Sequence, residues 1–240
     1  MEAEVLAAYD KSEFHVVYQK LSQFVAVELS SVYHDVIKDR LYTDAANSPR
    51  RRSTQTALHR LVTGLCQMLA PILAFTADEA WEFIPGKPTG SVHESEFKPS
   101  NFILPEGEKA IWDAWFGGRK MVQEKLEIAR QKKEIGKALD AKVIWLAPEN
   151  TEYTIAAQKR PEDFRELLNV SQIEIETSPG RVSNPDKTPA IIVNTFNISI
   201  LRADGQKCER CWHWETDIGK NPEHPTICGR CAEAVLQFKA

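Results

Sequence analysis

From Phe14 onward, apolar residues recur at Val17, Tyr18, Leu21, Phe24, Val25, Leu29, Val32, Tyr33, Val36 and Ile37. Spacings of three and four predict a long amphipathic helix. Asn47, Ser48 and Pro49 break the pattern. A second stripe follows at Leu58, Leu61, Val62, Leu65, Cys66, Leu69 and Leu73, and Pro71 within it should end or kink that helix. Thr76-Ala77-Asp78-Glu79 has the form of a capping box and predicts a helix start at Thr76, with Ala80, Trp81, Phe83 and Ile84 along it. The run from Pro85 to Gly90 stops that helix, and the stretch to Pro105 reads as loop. A long helix is expected over 108–134, with Ile111, Trp115, Val122, Leu126 and Ala129 on its apolar face. Arg119, Lys120, Lys125, Glu127, Arg130, Lys132 and Lys133 form its charged face, and Gly136 is placed to end it.

Beyond Gly136 the period changes. Residues 141–146 and 171–177 read as strands, 162–168 as a short helix, and 190–201 as a final β-rich segment with alternation at Phe196, Ile198 and Ile200. Pro179, Gly180, Asn184, Pro185 and Pro189 bracket a loop. The expected fold is mainly α. It divides into a helical domain over 1–135, a small α/β segment over 136–201 and a cysteine-bearing module over 202–240.

The module takes its character from Cys208-Glu209-Arg210-Cys211-Trp212-His213-Trp214 and Cys228-Gly229-Arg230-Cys231. Two Cys-x-x-Cys pairs offer four sulfurs from two tight turns, enough to close a tetrahedral zinc site of the structural kind. Catalytic zinc keeps a position open for water, so the motif predicts a staple and not a hydrolytic centre. His213 and His224 lie between the pairs, but thiolates suit zinc and four are present. Disulfides would need an oxidising compartment, and Met1-Glu2-Ala3-Glu4 opens no signal peptide, so a cytoplasmic location is expected. The fifth cysteine, Cys66, falls on an apolar helical face and reads as a core thiol.

The 240 residues carry a net charge of −4, so attraction to nucleic acid must rest on local patches. No apolar run approaches a membrane span. Trp81, Trp112 and Trp115 sit on apolar faces and read as core.

Several stretches together resemble one family. Tyr33-His34-Asp35-Val36-Ile37-Lys38-Asp39-Arg40-Leu41-Tyr42 is similar to a helix end shared by the anticodon-binding domains of the class I synthetases for isoleucine, valine and leucine. Leu69-Ala70-Pro71-Ile72-Leu73-Ala74-Phe75-Thr76-Ala77-Asp78-Glu79-Ala80-Trp81 resembles the next signature of that domain. The stretch 122–130, with the run from Lys133 to Val143, resembles the helix and following strand of the isoleucine enzymes. Lys207-Cys208-Glu209-Arg210-Cys211-Trp212 with Cys228-Gly229-Arg230-Cys231 resembles the C-terminal zinc module of bacterial isoleucyl-tRNA synthetases. The matches span nearly the whole chain in the family's order.

The His-x-Gly-His and Lys-Met-Ser-Lys-Ser elements with which the class forms adenylates do not occur in this sequence, and no catalytic residue is assigned. The resemblance implies a C-terminal fragment of such an enzyme, with an anticodon-binding domain truncated at its N-terminus. For the whole enzyme it implies ATP-dependent ligation of isoleucine. For this chain it implies recognition of the tRNA(Ile) anticodon arm, one structural zinc ion and a catalytic domain in cis, with no membrane or DNA partner. A fragment of that kind should expose apolar residues such as Val5, Leu6 and Phe14 near its start.

Anticodon bases are read by stacking and edge hydrogen bonds, while Lys and Arg on phosphates set register. The candidate phosphate contacts are Arg50, Arg51 and Arg52, then Lys38 and Arg40; the other reading of the triplet is a solvated charge run. Trp212 or Trp214 can stack on a base while Arg210 or Arg230 holds phosphate, or the indoles can simply pack over the metal. Two rival readings remain. One is a free-standing tRNA-binding protein derived from a synthetase tail. The other is a zinc-finger DNA glycosylase of the formamidopyrimidine type, which the helical first half and the absence of an N-terminal proline oppose.

Overall fold

The computed structural model describes residues 1–99, 103–178, 181–183, 191–193 and 197–239. They gather into two compact units, Met1–Ile103 and Leu104–Ala240. The architecture is the expected one: mainly helical, with a small sheet segment and a cluster of four cysteines.

The first unit opens with α1 (Glu2–Asp10) and α2 (Phe14–Gln23). Val5 and Ala8 of α1 and Val17 and Leu21 of α2 bury against Met68, and the Tyr9 hydroxyl donates to the Met68 carbonyl at 2.6 Å. Val5 is therefore core, contrary to the expectation that it faces solvent, whereas Phe14 is exposed. The predicted long helix is present but changes pitch. α2 runs into a π-helical segment, Phe24–Tyr33, and then α3 (His34–Tyr42). The Ser31 hydroxyl donates to the carbonyl of Ala26, five residues back, within that wider turn. Of the apolar stripe, Val17, Leu21, Leu29 and Ile37 are buried, while Tyr18 and Val25 are exposed.

α4 (Pro49–Leu69) starts within the break read at Asn47-Ser48-Pro49, with Ser48 accepting the Arg51 N–H and Pro49 at the first position. It ends two residues before Pro71, as that proline requires. α5 (Ala74–Glu82) departs from the expected capping box. It begins two residues before Thr76, with Leu73 as N-cap and no side-chain cap. The turn at Pro71 is closed by Ile72 and Leu73 donating to the Leu69 carbonyl, at 2.9 and 2.7 Å, and the chain enters the helix directly from it. Asp78 serves the following loop, accepting from Ser91 Oγ at 2.6 Å and Val92 N–H at 2.9 Å. Cys66 and Trp81 share the core beneath this loop, as expected of both.

In the second unit, β1 (Ala141–Pro148) is the middle strand of three. It pairs parallel with β2 (Gln172–Ser178) and antiparallel with β5 (Asn197–Arg202). A short hairpin, β3 (Arg181–Ser183) with β4 (Ile191–Val193), stands apart. The loop expected at Pro179, Gly180, Asn184, Pro185 and Pro189 lies outside the described residues, as do Ala190 and Phe196 of the last predicted strand. The crossover from β1 to β2 holds two helices, α7 (Glu152–Lys159), which the pattern did not predict, and α8 (Pro161–Leu168).

α6 (Glu108–Gln131) packs Trp115, Val122, Leu126 and Ala129 onto Val143 and Trp145 of β1 and Phe164 of α8. This helix, read from sequence as the last of a domain over 1–135, is grouped with the sheet. Gly118 permits the closest approach: a Cβ there would fall 2.2 Å from Trp145 Cη2. Arg119 is a correction to the predicted charged face, for it is buried and donates to the Leu167 carbonyl. Lys133, not Gly136, reverses the chain, at φ 60°. Lys133 N–H bonds the Arg130 carbonyl and Glu134 N–H the Ala129 carbonyl, both at 3.0 Å, the Schellman pattern.

Candidate metal centre

A two-stranded turn presents the first cysteine pair. β6 (Gln206–Lys207) pairs with β7 (Trp214–Glu215), and Cys208 and Cys211 lie between them. Cys208 N–H donates to the His213 carbonyl at 2.8 Å, and Trp212 N–H to the Cys208 carbonyl at 2.9 Å. Trp212 closes the turn at φ 67°. The second pair enters with α9 (Gly229–Lys239). Cys228 N–H points at Cys208 Sγ at 3.4 Å, and Gly229 N–H donates to Asp217 Oδ2 at 2.8 Å. A Cβ on residue 229 would stand 2.7 Å from that oxygen, so glycine lets the carboxylate hold the start of α9.

All four cysteines are buried and free, with sulfurs within 4.8 Å of one another. A tetrahedral zinc ion with Zn–S bonds of about 2.3 Å sets sulfurs about 3.8 Å apart. Cys211 Sγ and Cys228 Sγ are 3.9 Å apart, which fits that edge and is far beyond a disulfide bond. Contact with the Cys228 sulfur pushes Cys211 up to about 12, and contact with the Cys211 sulfur pushes Cys231 up to about 12. Cys228 also reaches about 12: its bond with Cys211 lowers it, but Cys231 and burial outweigh that. Cys208 is lowered to about 7, against the effect of burial, by N–H groups of Cys211, Cys228 and Arg210. Four thiolates cannot share this volume without a compensating cation, and a zinc ion supplies that charge and cross-links the two turns. The donor set is closed and all-sulfur, the structural kind. Neither histidine joins it. His213 is buried, and its Nδ1 lies 2.9 Å from Arg165 Nη1 of α8.

The metal turn is bound into the α/β segment. Trp214 N–H donates to Ser171 Oγ at 2.8 Å, and its indole N–H donates to Asp140 Oδ1 at 3.0 Å. The Ser171 hydroxyl donates in turn to the Leu139 carbonyl at 2.5 Å. The Arg202 guanidinium lies over the Trp214 ring, 5.0 Å from its centroid. The two neighbouring indoles thus part company. Trp214 is half-buried and committed to the protein, while Trp212 is 59 % exposed, with Lys137 Nζ 5.9 Å from its ring centroid.

The cations proposed for phosphate also separate. Arg50 grips Asp44 with two hydrogen bonds, at 2.8 and 2.7 Å, and reaches Asp39 at 3.3 Å. Arg51 Nη1 donates to the Asp44 carbonyl at 2.9 Å. Arg50 and Arg51 thereby secure the turn between α3 and α4. Arg52 is exposed, and its side chain meets no acceptor among the described residues. It lines a groove of about 900 Å³ with Val25, His59 and Phe83, and Phe83 is 80 % exposed. Lys38 pairs with Asp35 at 3.0 Å on the surface, and Arg40 is half-buried with a partner. Arg210 and Arg230 are half-buried beside the cysteines, and both are engaged.

Sequence reasoning did not single out Asp140, Arg165, Ser171 or Arg202 as supports of the metal turn. Asp140 and Ser171 lie 74 and 43 residues from Trp214, and Arg165 lies 48 from His213, so no local spacing links these three to the cysteines. Only the resemblance of the run Lys133–Val143 to the family's helix and following strand pointed toward this region.

Comparison with known proteins finds matches over both the helical part of the chain and the cysteine turns. A family model described as the anticodon-binding domain of tRNA ligase matches residues 1–145. A second, described as a zinc finger found in FPG and IleRS, matches residues 205–234. The chain is 41 % identical over 234 residues to an isoleucine–tRNA ligase of Exiguobacterium sibiricum, covering 97 % of this chain and 24 % of that protein. Identity to the isoleucine–tRNA ligase of Pectobacterium carotovorum is 39 % over 238 residues, 98 % of this chain and 25 % of that protein. For Desulfitobacterium hafniense the figures are 40 % over 233 residues, 96 % and 25 %. The chain spans about a quarter of the length of the curated relatives it matches. No described helix is long and apolar enough to cross a membrane.

Proposed function

The chain belongs to the family of anticodon-binding domains of tRNA ligases, and from that premise we propose that it is the C-terminal part of an isoleucine–tRNA ligase. In this reading it recognises the anticodon arm of tRNA(Ile) for a catalytic domain carried in cis, which performs the ATP-dependent aminoacylation. The carrying observation is the continuous match to isoleucine–tRNA ligases, which runs from the helical unit through the cysteine turns over 97 % of the chain. The family match over the helical half also weighs against a DNA glycosylase, which would share only the zinc finger.

Cys208, Cys211, Cys228 and Cys231 hold one zinc ion that fixes the metal turn, and the turn presents Trp212 outward. The backbone of Trp212 sits in a region that costs a non-glycine residue about 1–3 kcal/mol, and such strain is usually retained where it aims a side chain. Trp212 serves as a stacking platform for an unpaired base. Arg52, whose side chain meets no acceptor among the described residues, supplies a phosphate contact, and Lys38, Arg40, Arg210 and Arg230 are the further candidates.

The test is fluorescence anisotropy of labelled tRNA with the full chain, comparing tRNA(Ile) with a tRNA of identical body and altered anticodon. Preference for tRNA(Ile) is expected. Because stacking on one aromatic residue is worth about 1–3 kcal/mol, Trp212→Ala should weaken binding by about 5- to 150-fold. Equal affinity for the two tRNAs would overturn anticodon reading.

A further inference from the structure

Beside the metal turn, a cleft of about 430 Å³ is lined by Arg130, Lys133, Glu134, Asp140, Arg202 and Trp214, with Ile135 and Gly136. Cations outnumber carboxylates in its wall, and the carboxylates are not equivalent. Asp140 is spent on the protein: Oδ2 accepts N–H groups of Gly136 at 3.1 Å and Lys137 at 2.8 Å, and Oδ1 accepts the Trp214 indole N–H. Arg130 is paired with Glu127 on its own helix. Lys133 and Arg202 differ from Arg130. Among the described residues neither side chain has a carboxylate or carbonyl partner, and the guanidinium of Arg202 is engaged only by the Trp214 ring.

That contact leaves chemistry over. A guanidinium lying on an aromatic ring uses its π face, and its N–H donors project from the edge as a planar fork. A fork of this kind matches two oxygens of a phosphate better than a point charge does. The indole beneath is anchored at both ends, by its N–H on Asp140 and its backbone N–H on Ser171. Arg202 therefore stands on a fixed base. Lys133, held at φ 60° in the reversal after α6, lines the same cleft and adds a second cation.

We propose that this cleft is a phosphate subsite for the RNA backbone, with the Arg202 fork and Lys133 as ligands and Trp214 as the positioning residue beneath Arg202. The inference rests on the RNA-binding reading above and adds to it a site that the sequence did not nominate. Trp212 lies near this cleft within the same unit, since Lys137, whose Nζ is 5.9 Å from the Trp212 ring, follows Gly136 of the cleft wall, so one RNA strand can reach both.

The experiment measures binding of the full, zinc-loaded chain to labelled tRNA(Ile) across a salt series, for wild type, Arg202→Gln, Arg202→Lys and Lys133→Gln. Circular dichroism and zinc content verify that each variant is folded. Each phosphate contact contributes about 0.7–0.9 to the slope of log affinity against log salt. Arg202→Gln should lower that slope by about one contact and weaken binding about tenfold, Lys133→Gln should act in the same direction, and Arg202→Lys should recover the slope but only part of the affinity. If wild type binds tRNA and both glutamine variants keep its affinity and slope, the subsite is refuted while the RNA reading stands. Failure of wild type to bind any tRNA would sink both. A parallel titration with inorganic phosphate, read by tryptophan fluorescence, identifies the source. Saturation by millimolar phosphate that depends on Arg202, with an unchanged tRNA slope in the variants, would make this a free-anion site and overturn the assignment to RNA.

Discussion

Gly117 and Gly118 are neighbours in α6, and alanine at each should move stability in opposite directions. Both substitutions gain helix propensity, about 1 kcal/mol for glycine to alanine in a helix interior. At residue 117 nothing lies within 4 Å of the added methyl group, so that gain stands alone. At residue 118 the methyl carbon would meet Trp145 Cη2 at 2.2 Å and Cζ2 and Cζ3 at 3.1 Å. Carbon atoms settle at about 3.5–4.0 Å, so the ring has to retreat by more than about 1 Å. It has nowhere to go. Trp145 is almost fully buried, Phe164 stands edge-to-face against it at 4.9 Å, and its strand is paired on both sides. Overpacking of such a core costs about 1–3 kcal/mol, toward the upper end where backbone is pinned, which leaves Gly118→Ala about 1–2 kcal/mol less stable after the propensity gain. Urea unfolding of the full chain at constant zinc, followed by tryptophan fluorescence, reads this directly, since five of the six tryptophans belong to the second unit. The midpoint should rise for Gly117→Ala and fall for Gly118→Ala. A Gly118→Ala midpoint at or above that of wild type would refute the close approach of α6 to β1.

Three further outcomes are expected. Chelating zinc should make the segment 205–239 protease-sensitive while circular dichroism of the helical unit persists, because four buried thiols lose the charge that holds them together; an unchanged digestion pattern after complete metal removal would count against this. Asp140 is held below the usual carboxylate range: burial opposes the shift, but N–H donors of Lys137, Trp214 and Gly136 outweigh it. A lowered folded pKa gives stability that is full above the unfolded value of about 3.9 and is lost as pH falls through the folded value, so the advantage of wild type over Asp140→Asn in urea should be constant above about pH 5 and shrink below about pH 4; a pH-independent difference would contradict the carboxylate's role. Finally, Arg50→Ala should destabilise by about 1–3 kcal/mol, because it takes the guanidinium away from the buried Asp44, whereas Arg52→Ala should leave the thermal midpoint unchanged and weaken tRNA binding; the reverse pattern would exchange their roles.

The parts legible in the sequence are those with a short-range cause. Cysteine spacing placed four sulfurs together, the break at Asn47-Ser48-Pro49 marked the boundary before α4, and the stripe through Trp115, Val122, Leu126 and Ala129 placed the buried face of α6. What was misread depended on tertiary partners. Arg119 looked like a member of a charged face, yet the Leu167 carbonyl, 48 residues away, takes it inside. Thr76 looked like a cap, but the turn at Pro71 had already started the helix. The π-helical pitch of Phe24–Tyr33 leaves the apolar residues at spacings that an α-helix also allows. α7 has a weak apolar stripe and forms under the cover of α6 and the sheet. Arg50 and Arg52 have the same residue type and nearly the same place in sequence, and only Asp39 and Asp44 tell them apart.

The sorting of the indoles gives the protein a built-in optical channel. Trp81, Trp115 and Trp145 are sealed, and Trp112 and Trp214 are partly covered. Trp212 alone stands mostly in water. A collisional quencher such as iodide therefore reports chiefly on that single ring, while total emission reports on the folded state. Occupancy at the metal turn can be followed without a label, and separately from unfolding, in one cuvette.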